Sequence, residues 1–177
     1  MTEILQISQL GNPVLHRQAV PVQRVSDWRI QKLIDDLIAT AGKANGVGIA
    51  APQVAESHRL FIVASRPSPR YPSAPVMEPT AMINPHILAH STEVVKDWEG
   101  CLSVPGIRGL VPRYQAIEVE YTSREGKLCR QVLTDFVARI FQHEYDHLDG
   151  IVFLDRVGSS QELMTEQEYQ QRIVQKQ

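Results

Sequence analysis

The sequence predicts an α+β fold, because its helical and strand-like segments fall into separate runs. One amphipathic helical pattern near residue 30 is followed by several short strand-like stretches, and two more helical segments come after them. Two of the strand-like stretches flank a four-residue turn at 123–126 that is typical of an antiparallel hairpin. A doubly wound parallel sheet would alternate strands and helices, so the observed order favours α+β.

The first predicted helix covers the apolar repeat that follows Ser26. The first 25 residues mix prolines and a glycine with scattered apolar residues and indicate an extended lead-in segment. Ser26 has the side chain of an N-cap, and the helical pattern ends at Asn45 and Gly46. Between these limits apolar residues recur at helical spacing, at Ile30, Leu33, Ile34, Leu37, Ile38 and Ala41.

Strand-like stretches occupy the middle of the chain. They lie at 59–64, around 87–95, and at 107–111, 116–122 and 127–133. Residues 66–79 hold five prolines, which are too many for regular structure. This segment therefore predicts a surface loop within the domain rather than a linker between two domains.

Two helices are predicted after the strands. Thr134 can cap a helix that runs through Leu148 and stops at the Asp-Gly pair that follows it. A final polar helix is expected over about 160–175, where Ser159 and Glu162 have the spacing of a capping box. Because no internal repeat divides the 177 residues, we expect a single domain over 1–177.

Composition and charge exclude several classes of partner. The formal net charge of −2 gives no long-range attraction to nucleic acid or to an acidic membrane. No apolar run approaches the roughly 20 residues of a membrane-spanning helix, and the N-terminus lacks the features of a secretory signal. The two cysteines, Cys101 and Cys129, argue against a disulfide scaffold. We therefore expect a cytoplasmic protein with no DNA or membrane partner.

The strongest chemical signal is the run His143-Glu144-Tyr145-Asp146-His147 inside the second predicted helix. Residues at i and i+4 share one helical face, so both imidazoles can reach a single cation. Glu144 lies about 100° around the helix and is placed to hold a metal-bound water rather than to ligate. The alternative is an exposed polar helix face that carries two unrelated histidines.

A metal site of this kind needs a third ligand. The endopeptidase pattern H-E-x-x-H-x-x-G-x-x-H requires a histidine at position 153, where this chain has Phe153. The pattern with a downstream glutamate could use only residues of the polar tail, namely Glu162, Glu166 and Glu168. A small zinc endopeptidase is the main alternative enzyme, but the short chain leaves little room for its substrate cleft.

Cys101 is the other candidate ligand, in the segment 99–103 (Glu-Gly-Cys-Leu-Ser). Gly100 lets the backbone approach a neighbouring element closely, and a metal would hold the cysteine as a thiolate. A lone cysteine is more often a small buried hydrophobic residue than a ligand. Because Cys101 has no resolving partner and the helix lacks a third ligand, we favour ligation, whereas Cys129 on a predicted strand fits core packing.

Residues 46–53 (Gly-Val-Gly-Ile-Ala-Ala-Pro-Gln) join the first helix to the first clear strand. A phosphate cradle is excluded because no strand precedes the glycines. The small residues would let this loop pack closely on a neighbouring element. Gln53 could then offer its side-chain amide to a developing oxyanion.

Taken together, the segments 46–53, 99–103 and 142–147 resemble the three signature motifs of peptide deformylases, in the right order and spacing. Segments 11–15, 82–85 and 111–113 are also similar to that family, and the resemblance covers roughly residues 5–157. It implies a single deformylase-like catalytic domain in which antiparallel β-sheets pack around a central metal-binding helix, with a C-terminal helix. This expectation agrees with the α+β fold that the order of elements predicts.

The resemblance implies a metal-dependent hydrolase that removes the formyl group from the N-terminal formylmethionine of newly synthesised polypeptides. One divalent ion, natively Fe²⁺ with Zn²⁺, Ni²⁺ or Co²⁺ as substitutes, would be held by Cys101, His143 and His147. Metal-bound water would attack the formyl carbonyl, with Glu144 as general base and then general acid. Gln53 and the backbone N–H of Leu102 would stabilise the oxyanion.

The methionine side chain of such a substrate needs an apolar slot. Val47, beside Gly48, and Phe136 correspond to positions that line this slot in the family. Ile140 is a nearby apolar candidate on the metal-binding helix. Core packing is the alternative role for both Phe136 and Ile140.

Two arginines are further candidates for substrate binding. Arg139 lies four residues before His143, and it either contacts the peptide backbone or pairs with an acidic residue such as Asp135. Arg113 is either a cation on the substrate side or part of a structural ion pair. The remaining acidic candidates near the motif, which fit supporting or capping roles, are Asp146 and Asp149.

The implied partners are N-formylmethionyl nascent peptides, with transient ribosome contact. Family members can dock through a basic C-terminal helix, but this tail sets three glutamates against Arg172 and Lys176. Acidic residues oppose binding to ribosomal RNA, so this docking mode is not expected. A non-enzymatic alternative is a structural metal or an inactive module that binds formylated peptides. Structural sites usually have four protein ligands, and the sequence offers three.

Overall fold

The fold consists of two antiparallel sheets, with helices packed on both faces of the larger one. The computed structural model describes residues 1–176. Its helices are α1 (Trp28–Lys43), α2 (Asp135–Leu148) and α3 (Glu166–Tyr169). Its strands are β1 (Gly48–Ala50), β2 (Leu60–Val63), β3 (Thr80–His90), β4 (Val94–Cys101), β5 (Val104–Tyr114), β6 (Ala116–Thr122), β7 (Leu128–Thr134) and β8 (Leu163–Thr165). None of the helices in this described part of the chain is long and apolar enough to cross a membrane.

The larger sheet has the strand order β1-β2-β3-β6-β7, and the smaller sheet has the order β4-β5-β8. The paired strands of both sheets run antiparallel, which confirms the predicted α+β class. The predicted hairpin is also confirmed, because β6 and β7 pair from Thr122 opposite Leu128 to Ala116 opposite Thr134.

Alternate residues of β2 point to opposite faces of the larger sheet and separate two apolar cores. The core on the α1 side includes Ile34, Leu37, Leu60 and Ile62. The core on the α2 side includes Phe61, Val63, Ala138, Ile140, Phe141 and Leu148. Because these apolar residues fix α2 on the larger sheet, other side chains of the helix, such as Arg139 and His143, reach the smaller sheet.

The predicted helices α1 and α2 are confirmed, with one change at the start of α1. Asp27, not Ser26, is the N-cap, since its side chain accepts the N–H of Arg29 at 2.9 Å. The predicted strand at 87–95 belongs to two strands, because the chain reverses between β3 and β4. Residues 48–50, predicted as loop, form strand β1 by pairing with β2. Residues 66–79 lie outside all helices and strands, as predicted.

The C-terminal helix is present but shorter than predicted. Ser159 caps only a 3₁₀ turn, Ser160–Glu162, and the next three residues pair with β5 as strand β8. The helix begins at Glu166 and continues beyond Tyr169 as a turn of π-helix, Gln170–Val174. The capping-box spacing therefore predicted the cap at Ser159 correctly. Residues 163–165 do not continue as a helix, because they pair with β5 instead.

Candidate metal centre

Three side chains that are distant in sequence come together between α2 and the end of β4. Sγ of Cys101 lies 3.4 Å from Nε2 of His147. One donor atom each of Cys101, His143 and His147 lies within 4.8 Å of the other two. Cys101 and His147 are buried, and 11% of the His143 side chain is exposed. The structure thus brings together the three residues that the sequence predicts as ligands.

The turn between β4 and β5 presents the thiol of Cys101. The strand register shifts between Gly100 and Cys101, and Cys101 then pairs with Val104 across a tight turn. The backbone N–H of Ser103 donates to Cys101 Sγ at 3.4 Å, and the Gln53 amide donates to it at 3.5 Å. Both donors therefore hold the sulfur of Cys101 in place at the turn.

Glu99 holds one of the two imidazoles through a buried charge network. Its carboxylate accepts from Nδ1 of His143 at 2.9 Å, from Arg113 at 2.8 and 3.0 Å, and from Arg139 at 2.9 Å. Burial raises the pKa of Glu99, but the charge of Arg113 and the hydrogen bond from His143 outweigh it and place the pKa well below its usual range. With Nδ1 occupied, His143 offers Nε2 to a cation.

His147 is held by packing instead. It is 1% exposed, and its Nδ1 has no hydrogen-bond partner among residues 1–176. Burial lowers the pKa of His147 well below its usual range. The ring is therefore neutral, which is the form that ligates a metal.

Glu144 borders the pocket that the three ligands face. It is 4% exposed, and its Oε2 has no hydrogen-bond partner in the described part of the chain. Burial raises the pKa of Glu144 to about 7, which suits a group that accepts and releases a proton near neutral pH. Gly48 makes room for the carboxylate, because a Cβ at this position would lie 2.5 Å from Glu144 Oε1.

Gln53 borders the same pocket with its amide already oriented. Its Oε1 accepts the backbone N–H of Ala50 at 2.9 Å, and its Nε2 donates to Ser103 Oγ at 3.1 Å. These bonds point the NH₂ group toward the turn that carries Cys101. Leu102, in that turn, also lines the pocket.

The substrate-binding candidates on α2 and around the start of β1 line this pocket: Val47, Gly48, Phe136, Arg139 and Ile140. Phe136 and Ile140 also pack into the core on the α2 side, so their core-packing role is confirmed and their role in substrate binding stays a prediction. Arg70 and Tyr71 add a wall from the loop 66–79. The sequence does not single them out, since a proline-rich loop carries no periodic signal of what it contacts.

The donor set fits one divalent cation. A thiolate and two neutral imidazoles are ligands that Fe²⁺, Co²⁺, Ni²⁺ and Zn²⁺ all accept. Within residues 1–176, no fourth Cys, His, Asp or Glu joins this group. Phe153, at the position of the endopeptidase's third histidine, is 1% exposed and packs with Cys101 and Val104. A site with three protein ligands leaves a position for water or substrate, as in catalytic metal sites.

Comparison with known proteins decides the family. A sequence profile of the polypeptide deformylase family matches residues 4–163. The chain belongs to the peptide deformylase family. It is 70% identical to peptide deformylase 2 of a Nostoc species over 171 residues, which cover 97% of this chain and 96% of that one. It is 45% identical to peptide deformylase 2 of Shewanella oneidensis over 164 residues, which cover 93% and 90%.

Solved deformylase structures share the fold. The Acinetobacter baumannii class I type b peptide deformylase with Met-Ala-Ser bound matches with a TM-score of 0.86 and 45% identity, covering 89% of this chain and 100% of that one. The Thermotoga maritima peptide deformylase matches with a TM-score of 0.80 and 36% identity, covering 89% and 99%. The chain is thus a hydrolase of the deformylase family with that family's α+β fold.

Two arginines of this deformylase form ion pairs, which is one of the two alternatives predicted for each of them. Arg113 donates to Glu99 and, at 2.6 Å, to Asp146, and 4% of its side chain is exposed. We therefore assign Arg113 to the ion-pair network rather than to substrate binding. Arg139 pairs with Glu99 instead of Asp135 and also donates to two backbone carbonyls of the smaller sheet. It borders the pocket, but these acceptors engage its guanidinium.

The other residues near the motif have supporting positions. Asp146 also accepts from Arg156 at 2.7 and 3.0 Å. Asp149 is the C-cap of α2 and accepts from Arg59 at 2.7 Å. Cys129 packs, half-buried, against the core on the α2 side, in agreement with its predicted role.

Proposed function

We propose that this protein removes the formyl group from the N-terminal formylmethionine of newly synthesised polypeptides, using one divalent ion bound by Cys101, His143 and His147. The observation that carries the proposal is the convergence of these three ligands on a pocket that Glu144 borders. Membership of the deformylase family supports the choice of a formylated peptide as substrate.

In this proposal the metal supplies Lewis acidity: when bound, the ion polarises a carbonyl group and lowers the pKa of a water molecule. We propose Fe²⁺ as the native ion, with Zn²⁺, Ni²⁺ or Co²⁺ as substitutes. One thiolate and two neutral imidazoles leave a divalent ion with one net positive charge, a donor set that several metals satisfy.

Glu144 performs the proton transfers. Its buried carboxylate takes a proton from the attacking water and delivers it to the amine that departs from the formyl carbon. The pKa of about 7 makes both steps accessible near neutral pH. No residue within 1–176 donates a hydrogen bond to the buried Oε2 of Glu144.

Gln53 and Leu102 stabilise the charge that develops on the formyl oxygen. The Ala50 N–H holds the Gln53 amide at Oε1, and the Nε2 hydrogen that donates to Cys101 Sγ at 3.5 Å is redirected to the oxyanion when it forms. The backbone N–H of Leu102 provides the second donor from the turn behind Cys101. Val47, Phe136 and Ile140 supply the apolar slot for the methionine side chain.

The substrate source in this proposal is the nascent chain, so we place the protein in the cytoplasm in transient contact with the ribosome. The C-terminal glutamates pair with Lys96, Arg108 and Arg172, so their charge is compensated within the chain. This segment offers no basic surface for RNA, and we do not assign ribosome contact to it.

The test is hydrolysis of formyl-Met-Ala-Ser by protein purified without oxygen and loaded with Fe²⁺. We expect turnover by the wild type and a loss of about 10²- to 10⁴-fold in Glu144→Ala, with metal content unchanged. Absence of formate release with each of the four metals would overturn the proposal. Cleavage of an internal bond in an unformylated peptide would favour an endopeptidase.

A matched pair of cysteine variants tests the ligand set. We expect Cys101→Ala to lose tight metal retention, because the site would keep only two protein ligands. Cys129→Ala should retain the metal, since this thiol lies outside the ligand group. Metal analysis after gel filtration measures both, and full metal occupancy in Cys101→Ala would contradict the assignment.

A further inference from the structure

The pocket wall indicates a charge preference for the substrate. We propose that Arg70 binds a carboxylate at the third residue of the formylated peptide. The enzyme then turns over peptides that are acidic at this residue better than peptides that are neutral or basic there. This inference rests on the proposed deformylase activity and names the substrates that the same site prefers.

The loop that carries Arg70 is fixed through the neighbouring Tyr71. The Tyr71 hydroxyl accepts from Arg108 at 2.9 Å, and its ring lies against Phe136 with ring centroids 5.0 Å apart. Arg108 is fully buried and pairs with Glu166 at 2.6 Å. The loop is therefore attached to α2, to the smaller sheet and to the C-terminal helix, which keeps Arg70 at the pocket wall.

The guanidinium of Arg70 is the positively charged group of the pocket that a ligand can contact. It is half-buried, and within residues 1–176 its side chain forms no hydrogen bond or ion pair. Glu166 lies near enough to feel the charge of Arg70 but is itself bound to Arg108. The other arginine of the pocket, Arg139, is engaged by Glu99 and by backbone carbonyls.

The alternation of side chains along an extended peptide decides which substrate residue carries the carboxylate. The methionine side chain enters the pocket that Arg70 also borders, and in an extended chain the third side chain points to the same face as the first, whereas the second points to the opposite face. An extended peptide advances about 3.3 Å per residue. A carboxylate at the third residue lies about 7 Å along the chain from the methionine, on the face toward the partly exposed guanidinium of Arg70.

The expected preference is modest, because ion pairs that are partly exposed to water are weak. We expect kcat/KM to be about two- to fivefold higher for a glutamate than for a lysine at the third residue. The difference should lie in KM, since the contact is remote from the formyl group. It should also shrink at high salt.

The experiment uses Fe²⁺-loaded enzyme with formyl-Met-Ala-Glu-amide and its Gln and Lys counterparts, in which amidation removes the terminal carboxylate. We expect the wild type to prefer Glu over Gln over Lys, Arg70→Gln to lose this order, and Arg70→Glu to reverse it. Arg66→Gln is the matched control, because Arg66 lies in the same loop but donates to Gly42 outside the pocket. It should keep the wild-type order.

Affinity for the deformylated products gives a second readout that needs no turnover. Calorimetry should show tighter binding of Met-Ala-Glu-amide than of Met-Ala-Lys-amide to the wild type and equal binding to Arg70→Gln. If Arg70→Gln keeps the wild-type ratios while all formylated peptides are hydrolysed, the role of Arg70 is disproved and the deformylase activity stands. If formyl-Met-Glu-Ala-amide is favoured as strongly, the assignment to the third residue fails. Failure of the wild type on every formylated peptide disproves both.

Discussion

The two histidines of α2 reach the same site but are held in different ways. His143 donates from Nδ1 to Glu99, which also binds Arg113 and Arg139. His147 has no partner at Nδ1 among residues 1–176 and is enclosed by its neighbours. One ligand is therefore oriented by charge, and the other is oriented by the shape of its surroundings.

The two sides of the centre should also differ in what they contribute. On the His143 side, buried charges from β4, β5 and α2 compensate one another. Removing one of them leaves an opposite charge buried without a partner, which lowers stability. The packed side comprises the residues held by packing, His147 and Glu144. Glu144 lies against Gly48, and this close approach fixes the position of its carboxylate. We expect perturbation of the charged side to lower stability, and perturbation of the packed side to lower the rate.

The largest expected effect is on the charged side, in Glu99→Gln. This substitution leaves Arg113 and Arg139 without their shared counter-charge, and breaking a buried pair in this way costs about 3 to 5 kcal/mol. Urea unfolding measures the loss. Glu118→Gln is the matched control, because its pair with Arg130 is exposed and contributes at most about 1 kcal/mol. Equal unfolding midpoints for the two variants would mean that the buried network around Glu99 stabilises the fold no more than an exposed ion pair does.

This contrast also separates what sequence can predict from what it cannot. The spacing of His143 and His147 is local, so helix geometry alone places both imidazoles on one face. The partner of Arg139 is Glu99, 40 residues away on another element, and the local candidate Asp135 was the wrong choice. Long-range pairing of this kind depends on how the sheets pack, which no short-range pattern encodes.

Short strands were missed for a related reason. Strand β1 is three residues long and has one β-branched residue, Ile49, between Gly48 and Ala50, so it has neither the length nor the composition that indicates a strand. It forms because β2 offers it a partner. The role of Gly48 in the site could be seen only once that pairing had brought it against Glu144.

On the packed side, we expect Gly48→Ala to lower kcat/KM without lowering stability, and this effect should be smaller than that of Glu99→Gln. The added Cβ would lie 2.5 Å from Glu144 Oε1 and 3.0 Å from its Cγ, so the carboxylate must move. A displacement of about 1 Å can lower kcat/KM by about 100-fold. Metal content should stay at the wild-type level, because the nearest atoms to the new Cβ belong to Glu144 and not to a ligand.

Gly42→Ala is the matched control for this substitution. A Cβ on Gly42 would meet no atom within 4 Å, and alanine favours the helix by about 0.5 to 1 kcal/mol. Its kcat/KM should equal that of the wild type. Wild-type rates in Gly48→Ala would show that the site tolerates movement of Glu144 and that packing does not set its position.

The smallest expected effect is at the rim of the charged side, in Arg156→Ala. Arg156 pairs with Asp146, but 44% of its side chain is exposed, whereas 4% of the Arg113 side chain is exposed. Water screens the outer pair, so its removal should cost at most about 1 kcal/mol, a fall in Tm of up to about 4 °C. Thermal unfolding at matched metal content measures this change. A loss as large as that of Glu99→Gln would mean that Arg156, rather than the buried Arg113, compensates the charge of Asp146.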